Sequence, residues 1–175
     1  ARSVINKLSE LHELLYNDSN ANCFCITESW LHDEVSNGML DPKSMFCVFR
    51  SDRSIGTGGG VCVIISNKME ACKVDIVATP NDAEIVCFDL MESDTPYRIF
   101  VVYRPPASCA GRLAGVSPAV SMKQLTDCLE LNLNTAGPTM VMGDFNCPDI
   151  DWKTLTSGTD KCHSTLFNFV TYNGF

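Results

Sequence analysis

Three apolar runs in this sequence stop at residues able to do chemistry. Glu28 closes "CITESW", Tyr103 and Arg104 close "VVYRPP", and Asp144 with Asn146 close "VMGDFN". Open sheets place ligands beyond the C-terminal ends of their strands, so such positions are informative. Strand alternation puts Asp144 and Asn146 on one side. An Asp and an Asn two residues apart can hold one water between them, the Asp taking its proton and the Asn orienting it. Glu28 can ligate a hard cation such as Mg²⁺ through oxygen, and Tyr103 or Arg104 can donate to a phosphate. Together these parts suit metal-assisted hydrolysis of a phosphodiester.

Each residue also has a plainer use. Asp144 can form a turn or cap the next element, and Glu28 in "TESW" can cap a helix. "YRPP" can be an edge strand and a rigid turn. The run Gly58–Gly60 reads as a bulge or tight turn opening a strand rather than a phosphate cradle, because no helical pattern follows it. His12, His32 and His163 receive no catalytic role.

The elements that must position these groups follow from periodicity. Apolar residues Val4, Ile5, Leu8, Leu11, Leu14 and Leu15 recur at three and four, which predicts a surface helix over residues 3–17. "NCFCIT" reads as a short buried strand, and "SMFCVFR" and "GVCVIIS" as two more around the loop "SDRSIGTGGG". "AEIVCFDLM" and "YRIFVVYRPP" form a further pair, the second stopped by Pro105-Pro106. Residues 107–119 read as a loop, 120–133 as a helix, "TMVMGDFN" as a strand, and "HSTLFNFVTYNGF" as a last helix running into Gly174. The order suits an α/β sandwich with helices outside packed sheets. No domain boundary interrupts it.

Composition narrows the partners. The 175-residue chain is 45% hydrophobic and carries a net charge of −8, against a general electrostatic grip on nucleic acid. A loaded carboxylate–metal site adds local positive charge, and Lys43, Arg50, Arg53, Lys68 and Lys73 fall in one central stretch; the alternative is a solvated mixed surface. No run is long enough to span a bilayer. Among the ten cysteines, Cys23, Cys25, Cys47, Cys62 and Cys87 lie in strand-like runs and read as buried, reduced thiols of a nuclear or cytosolic protein. The start at Ala1 suggests an excised, processed or partial piece.

The joint order of "ARSVINKLSELHELL", "CITESWL", "FRSDRSIGTGGGVCVII", "VVYRPP", "MVMGDFNCPDIDW" and "LFNFVTYNGF" resembles the endonuclease/exonuclease/phosphatase superfamily. Within it the sequence is most similar to the abasic-endonuclease-like domain of non-LTR retrotransposons, which lies upstream of their reverse transcriptase. "GDFN" and "TESW" carry the superfamily; "RSDR…GGGV" and "YRPP" point to the retrotransposon branch. The resemblance implies a DNase I-like four-layer α/β sandwich of two packed mixed β-sheets flanked by helices, one domain over residues 1–175, incomplete at both ends. It implies Mg²⁺-dependent (or Mn²⁺-dependent) nicking of DNA, leaving a 3′-hydroxyl to prime reverse transcription, with DNA and a fused reverse transcriptase as partners, no membrane, and a nuclear location after synthesis in the cytoplasm. It places Glu28 on the metal-ligating glutamate, Tyr103 near the scissile phosphate, and Asp144 and Asn146 on the pair that positions and deprotonates water. Asp149 and Asp151 then shape the following loop, and Trp152 packs under it.

The same resemblance implies further family residues: an Asn before the "ARS" start, and an acidic residue and a Ser-Asp-His beyond Phe175. The expectations are an exposed sheet edge prone to association and weak or no activity of these 175 residues, because a cooperating set loses most of its rate with one member. The competing readings are a superfamily phosphatase acting on small phosphate esters or phosphoinositides, and an inactive remnant or binding module.

Overall fold

A computed structural model describes residues 3–17, 21–54, 56–80, 82–91, 94–106, 115–134 and 137–175. Seven strands in these residues build two sheets. Strands β1 (Cys23–Thr27), β2 (Phe46–Ser51) and β3 (Val61–Ser66) form an antiparallel sheet in the order β1-β3-β2. Strands β4 (Glu70–Lys73), β5 (Glu84–Met91), β6 (Tyr97–Tyr103) and β7 (Thr139–Asp144) form the second, in sequence order. Only β6 and β7 run parallel. The first sheet is thus antiparallel and the second mixed, whereas two mixed sheets were expected.

Alternation along each strand sorts the apolar side chains into three cores. In β3 every residue is buried. Val61, Val63 and Ile65 meet Val86, Phe88, Val101 and Tyr103 between the sheets. Cys62 and Ile64 point the other way, toward Leu11 and Leu15 of helix α1 (Leu8–Asn17) and Leu40 of the short helix α2 (Asn37–Leu40). Ile85, Cys87, Phe100 and Val102 pack on Met122, Leu125 and Leu129 of α3 (Pro118–Leu131), and on Leu166 and Phe169 of α4 (Lys161–Asn173). Each of these large side chains contributes about 1.5–3 kcal/mol by leaving water. Helix, sheet, sheet, helix gives the expected four layers.

The helix ends have local causes. Ser117 caps α3, its side chain accepting from the Val120 N–H, and Pro118 occupies the first turn, where no donor is needed. Asp160 caps α4 by accepting from the Cys162 N–H at 2.7 Å, and Gly174 ends it at φ 73°. The third helix begins at Pro118, inside the stretch expected to be loop; residues 107–114 of that stretch lie outside the described residues. Strand β4 and helix α2 have patterns too short to be read from periodicity. The expected first helix splits into a 3₁₀ turn (Ile5–Lys7) and α1.

Cys62 and Cys87 are buried as expected, but Cys23, Cys25 and Cys47 are exposed. Cys23 and Cys25 pair with Ile65 and Val63 and so face the inter-sheet core. They are exposed because β1 is the last strand of its sheet among the described residues.

Candidate active site

The strand ends that close on polar residues converge. Beyond β1 the backbone turns through positive φ at Glu28 (58°) and Trp30 (55°). This loop does not begin a helix, so Glu28 is not a cap. It is held from two sides: Ser3 N–H and Val4 N–H donate to the carbonyls of Glu28 (3.3 Å) and Ser29 (2.9 Å), while Ser29 N–H and Trp30 N–H donate to Gly60 (3.3 Å) and Gly59 (2.9 Å). The sequence blocks around Ser3, Glu28 and Gly58–Gly60 are therefore one local structure.

The glycines make that packing possible. A Cβ on Gly60 would lie 2.6 Å from Ser29 Oγ, and one on Gly59 would lie 2.4 Å from the Arg53 guanidinium carbon. Both residues also have positive φ, a region where glycine carries no penalty. The run does open β3, as read from sequence, and it also seats the Glu28 loop against Arg53.

Tyr103 at the end of β6 reaches across the sandwich and donates its hydroxyl hydrogen bond to Glu28 Oε1; Trp30 Nε1–H donates to Oε2 at 2.9 Å. Burial, then the neighbouring Glu28 carboxylate, push the Tyr103 phenol well above its ordinary value, against the opposing pull of Arg53. At neutral pH Tyr103 is a proton-bearing donor.

On β7, Gly143 lets the strand lie close to β6. A Cβ there would sit 1.9 Å from the Val102 carbonyl oxygen. The parallel register then sets Asp144 beside Tyr103, and Arg104 N–H donates to the Asp144 carbonyl at 2.9 Å. The alternation argument for Asp144 and Asn146 does not hold, because β7 ends at Asp144 and Asn146 has φ 50°. The two meet through a turn instead: Asn146 N–H donates to Asp144 Oδ1 at 3.0 Å, and Asn146 Nδ2 donates to the Arg104 carbonyl at 2.7 Å. Asp144 stays exposed and, with Asn146, lines a cleft of about 400 Å³ that Trp152 and Leu166 also border.

Other candidates fall away from the site. Arg104 is fully buried, and its guanidinium donates to the carbonyls of Phe145 and Pro118. It ties the two loops together and does not face a phosphate. The central basic stretch is largely spent internally: Arg50 pairs with Asp52, Arg53 with Glu84, and Lys43 lies over the Tyr16 ring. Asp151 shapes its loop by accepting from the N–H groups of Lys153 and Thr154. Asp149 Oδ2 lies 3.1 Å from Nδ1 of the buried His163. Trp152 stacks on Phe167 but keeps 49% of its surface exposed, so it does not pack fully under the loop. Among the described residues no three His, Cys, Asp or Glu side chains form a metal cluster.

Two stacked sheets with outer helices, and polar strand ends gathered at one point, give a fold shared with solved proteins of the endonuclease/exonuclease/phosphatase type. Residues 97–175 match the sequence model of a family described as endonuclease-reverse transcriptase. The fold is similar to that of the 3′ phosphatase NExo from Neisseria bound to a product DNA hairpin, with a TM-score of 0.67 and 14% identity over 96% of this chain and 68% of that one. It is also similar to an endonuclease/exonuclease/phosphatase family protein from Bacteroides thetaiotaomicron (TM-score 0.54, 13% identity, 91% of this chain and 58% of that one). Truncated Caenorhabditis elegans TDP2 gives a TM-score of 0.53 at 10% identity, over 79% of this chain and 54% of that one. The chain thus spans between 54% and 68% of the length of these three proteins. No curated protein sequence matches it.

Proposed function

We propose that the chain is the DNA-nicking part of a retrotransposon endonuclease, breaking one phosphodiester to leave a 3′-hydroxyl from which a fused reverse transcriptase extends. The observation that carries this reading is the meeting of Glu28, Tyr103, Asp144 and Asn146 at one end of the sandwich, in a chain whose residues 97–175 match the endonuclease-reverse transcriptase family model. A nuclear location, reached after synthesis in the cytoplasm, follows from a chromosomal DNA substrate.

In this mechanism Asp144 accepts the proton of a water that Asn146 orients. Attack on phosphorus breaks the bond to O3′, which leaves and takes a proton from solvent to become the 3′-hydroxyl. Tyr103 turns its one hydroxyl hydrogen from Glu28 to a non-bridging oxygen as negative charge gathers there. The donor set fits a hard cation: Glu28 offers carboxylate oxygens beside the strand end, and Mg²⁺ is commonly held by one or two carboxylates with waters and substrate phosphate. Such an ion supplies positive charge to the phosphoryl oxygens when bound.

The test is nicking of supercoiled plasmid with Mg²⁺ or Mn²⁺, by the 175-residue chain and by the longest natural form containing it, with Asp144→Ala in each. The expected result is Mg²⁺-dependent nicking by the longer form, abolished by the substitution, and weak or no nicking by the 175 residues. Intact plasmid with the longer form overturns the proposal; small phosphate esters and phosphoinositides are then the substrates to examine.

A further inference from the structure

Arg53 belongs to the "RSDR…GGGV" block, yet the mechanism above gives it no task. Its side chain is 11% exposed and that of Glu84 9%, and the guanidinium donates in a fork to Glu84, Nε to Oε1 at 2.6 Å and Nη2 to Oε2 at 3.1 Å. Glu84 stands directly opposite Tyr103 in the β5–β6 ladder. The guanidinium carbon lies 5.5 Å from the Tyr103 ring centroid, within cation–π range. Gly59 also lies against it, since a Cβ there would fall 2.4 Å from the guanidinium carbon. A flat cation therefore packs near both the Gly59 backbone and the Tyr103 ring, and a buried carboxylate locks it in place.

We infer that Arg53 is a positioning residue: backed by Glu84 and seated against Gly59, it fixes the Tyr103 ring so that the hydroxyl is presented at Glu28. A bidentate, stacked guanidinium restrains a ring in a way a lysine cannot. The relation accounts together for the arginine and a glycine of one motif and for a strand-borne glutamate outside it. Its kinetic consequence rests on the nuclease reading; its geometric content does not.

The experiment compares the wild-type chain, Arg53→Lys, and the double variant Arg53→Met/Glu84→Met, each labelled with ¹³C-tyrosine and followed by NMR. The double variant removes both buried charges together, so neither is left unpaired; should it not fold, Arg53→Lys carries the measurement alone. Tyr16, Tyr97 and Tyr172 serve as internal references. The expected result is a shifted Tyr103 signal with faster ring flipping, the other three tyrosines unmoved. In the longest natural form, kcat for nicking should fall about ten- to a hundredfold with KM held, the cost of a misplaced group. An unchanged Tyr103 signal overturns the inference, as does an equal change at all four tyrosines. If the longest natural form does not nick DNA, the nuclease reading alone fails, and the Tyr103 signal still decides the role of Arg53.

Discussion

The Tyr103 hydroxyl donates to the Glu28 carboxylate from the opposite sheet, so one hydrogen bond joins the end of β6 to the loop after β1. Tyr103→Phe keeps the ring and its packing and removes only this donor. Nicking by the longest natural form should fall by about a hundredfold or more, the usual loss when a donor to a developing oxyanion is removed. Stability should fall by only about 1–2 kcal/mol. Plasmid nicking and a urea titration on the same preparation check both halves.

The buried thiols set an alkaline limit to stability. Burial pushes both Cys62 and Cys87 from 9.0 up to about 12. Above about pH 9 the unfolded chain releases these protons while the folded chain keeps them, so the unfolded state binds fewer protons and stability falls as pH rises toward 12. Below pH 9 the two states are equally protonated at these groups, and their contribution is full and constant. The raised Tyr103 phenol acts in the same direction from its ordinary value of 10.0 upward. Urea midpoints under reducing conditions should drop between about pH 8 and pH 10.5. The drop should be smaller in Cys62→Ala, whatever that variant's stability at pH 8.

What the sequence showed, and what it hid, divides along physical lines. Burial is continuous in β3 and nearly so in β5 and the end of β6, whose two faces feed two cores, and the apolar runs it requires made those strands legible. The places of Glu28, Tyr103 and Asp144 at strand ends were legible because each closes an apolar run. The turn joining Asp144 to Asn146 was not, since a residue in the left-handed region leaves no periodic mark. The burial of Arg104 was equally hidden, because its partners are carbonyl oxygens that any residue carries. Arg53 was visible only as part of a charged stretch; its partner Glu84 lies 31 residues away.

Gly143 should tolerate no side chain. The Cβ of Gly143→Ala would fall 1.9 Å from the Val102 carbonyl oxygen, with φ at 141°, and backbone cannot swing aside as a flexible side chain can. Parting β7 from β6 would also carry Asp144 away from Tyr103. The expected cost is about 3 kcal/mol or more, at the upper end of single substitutions, with loss of nicking in any fraction that folds. Thermal unfolding followed by circular dichroism reads the first effect. Plasmid nicking at a temperature below the transition reads the second.

Strands β1 and β7 each end their sheet among the described residues, and they lie on the same side of the sandwich. Residues that face the inter-sheet core are exposed there: Cys23 and Cys25 on β1, and Met140, 52% exposed, on β7. Below β7 an apolar groove runs past Val141, Phe145, Trp152 and Phe175. Unpaired ladder groups beside open apolar surface template pairing with another chain. The 175-residue chain should therefore associate as its concentration rises, and light scattering on a sizing column should show the apparent mass climbing above 19.2 kDa. Met140→Lys places a charge on that edge at a position already half in water, which should return the mass to that of one chain with little loss of stability. A mass that stays at 19.2 kDa at every concentration would mean that the edge is guarded by something other than pairing.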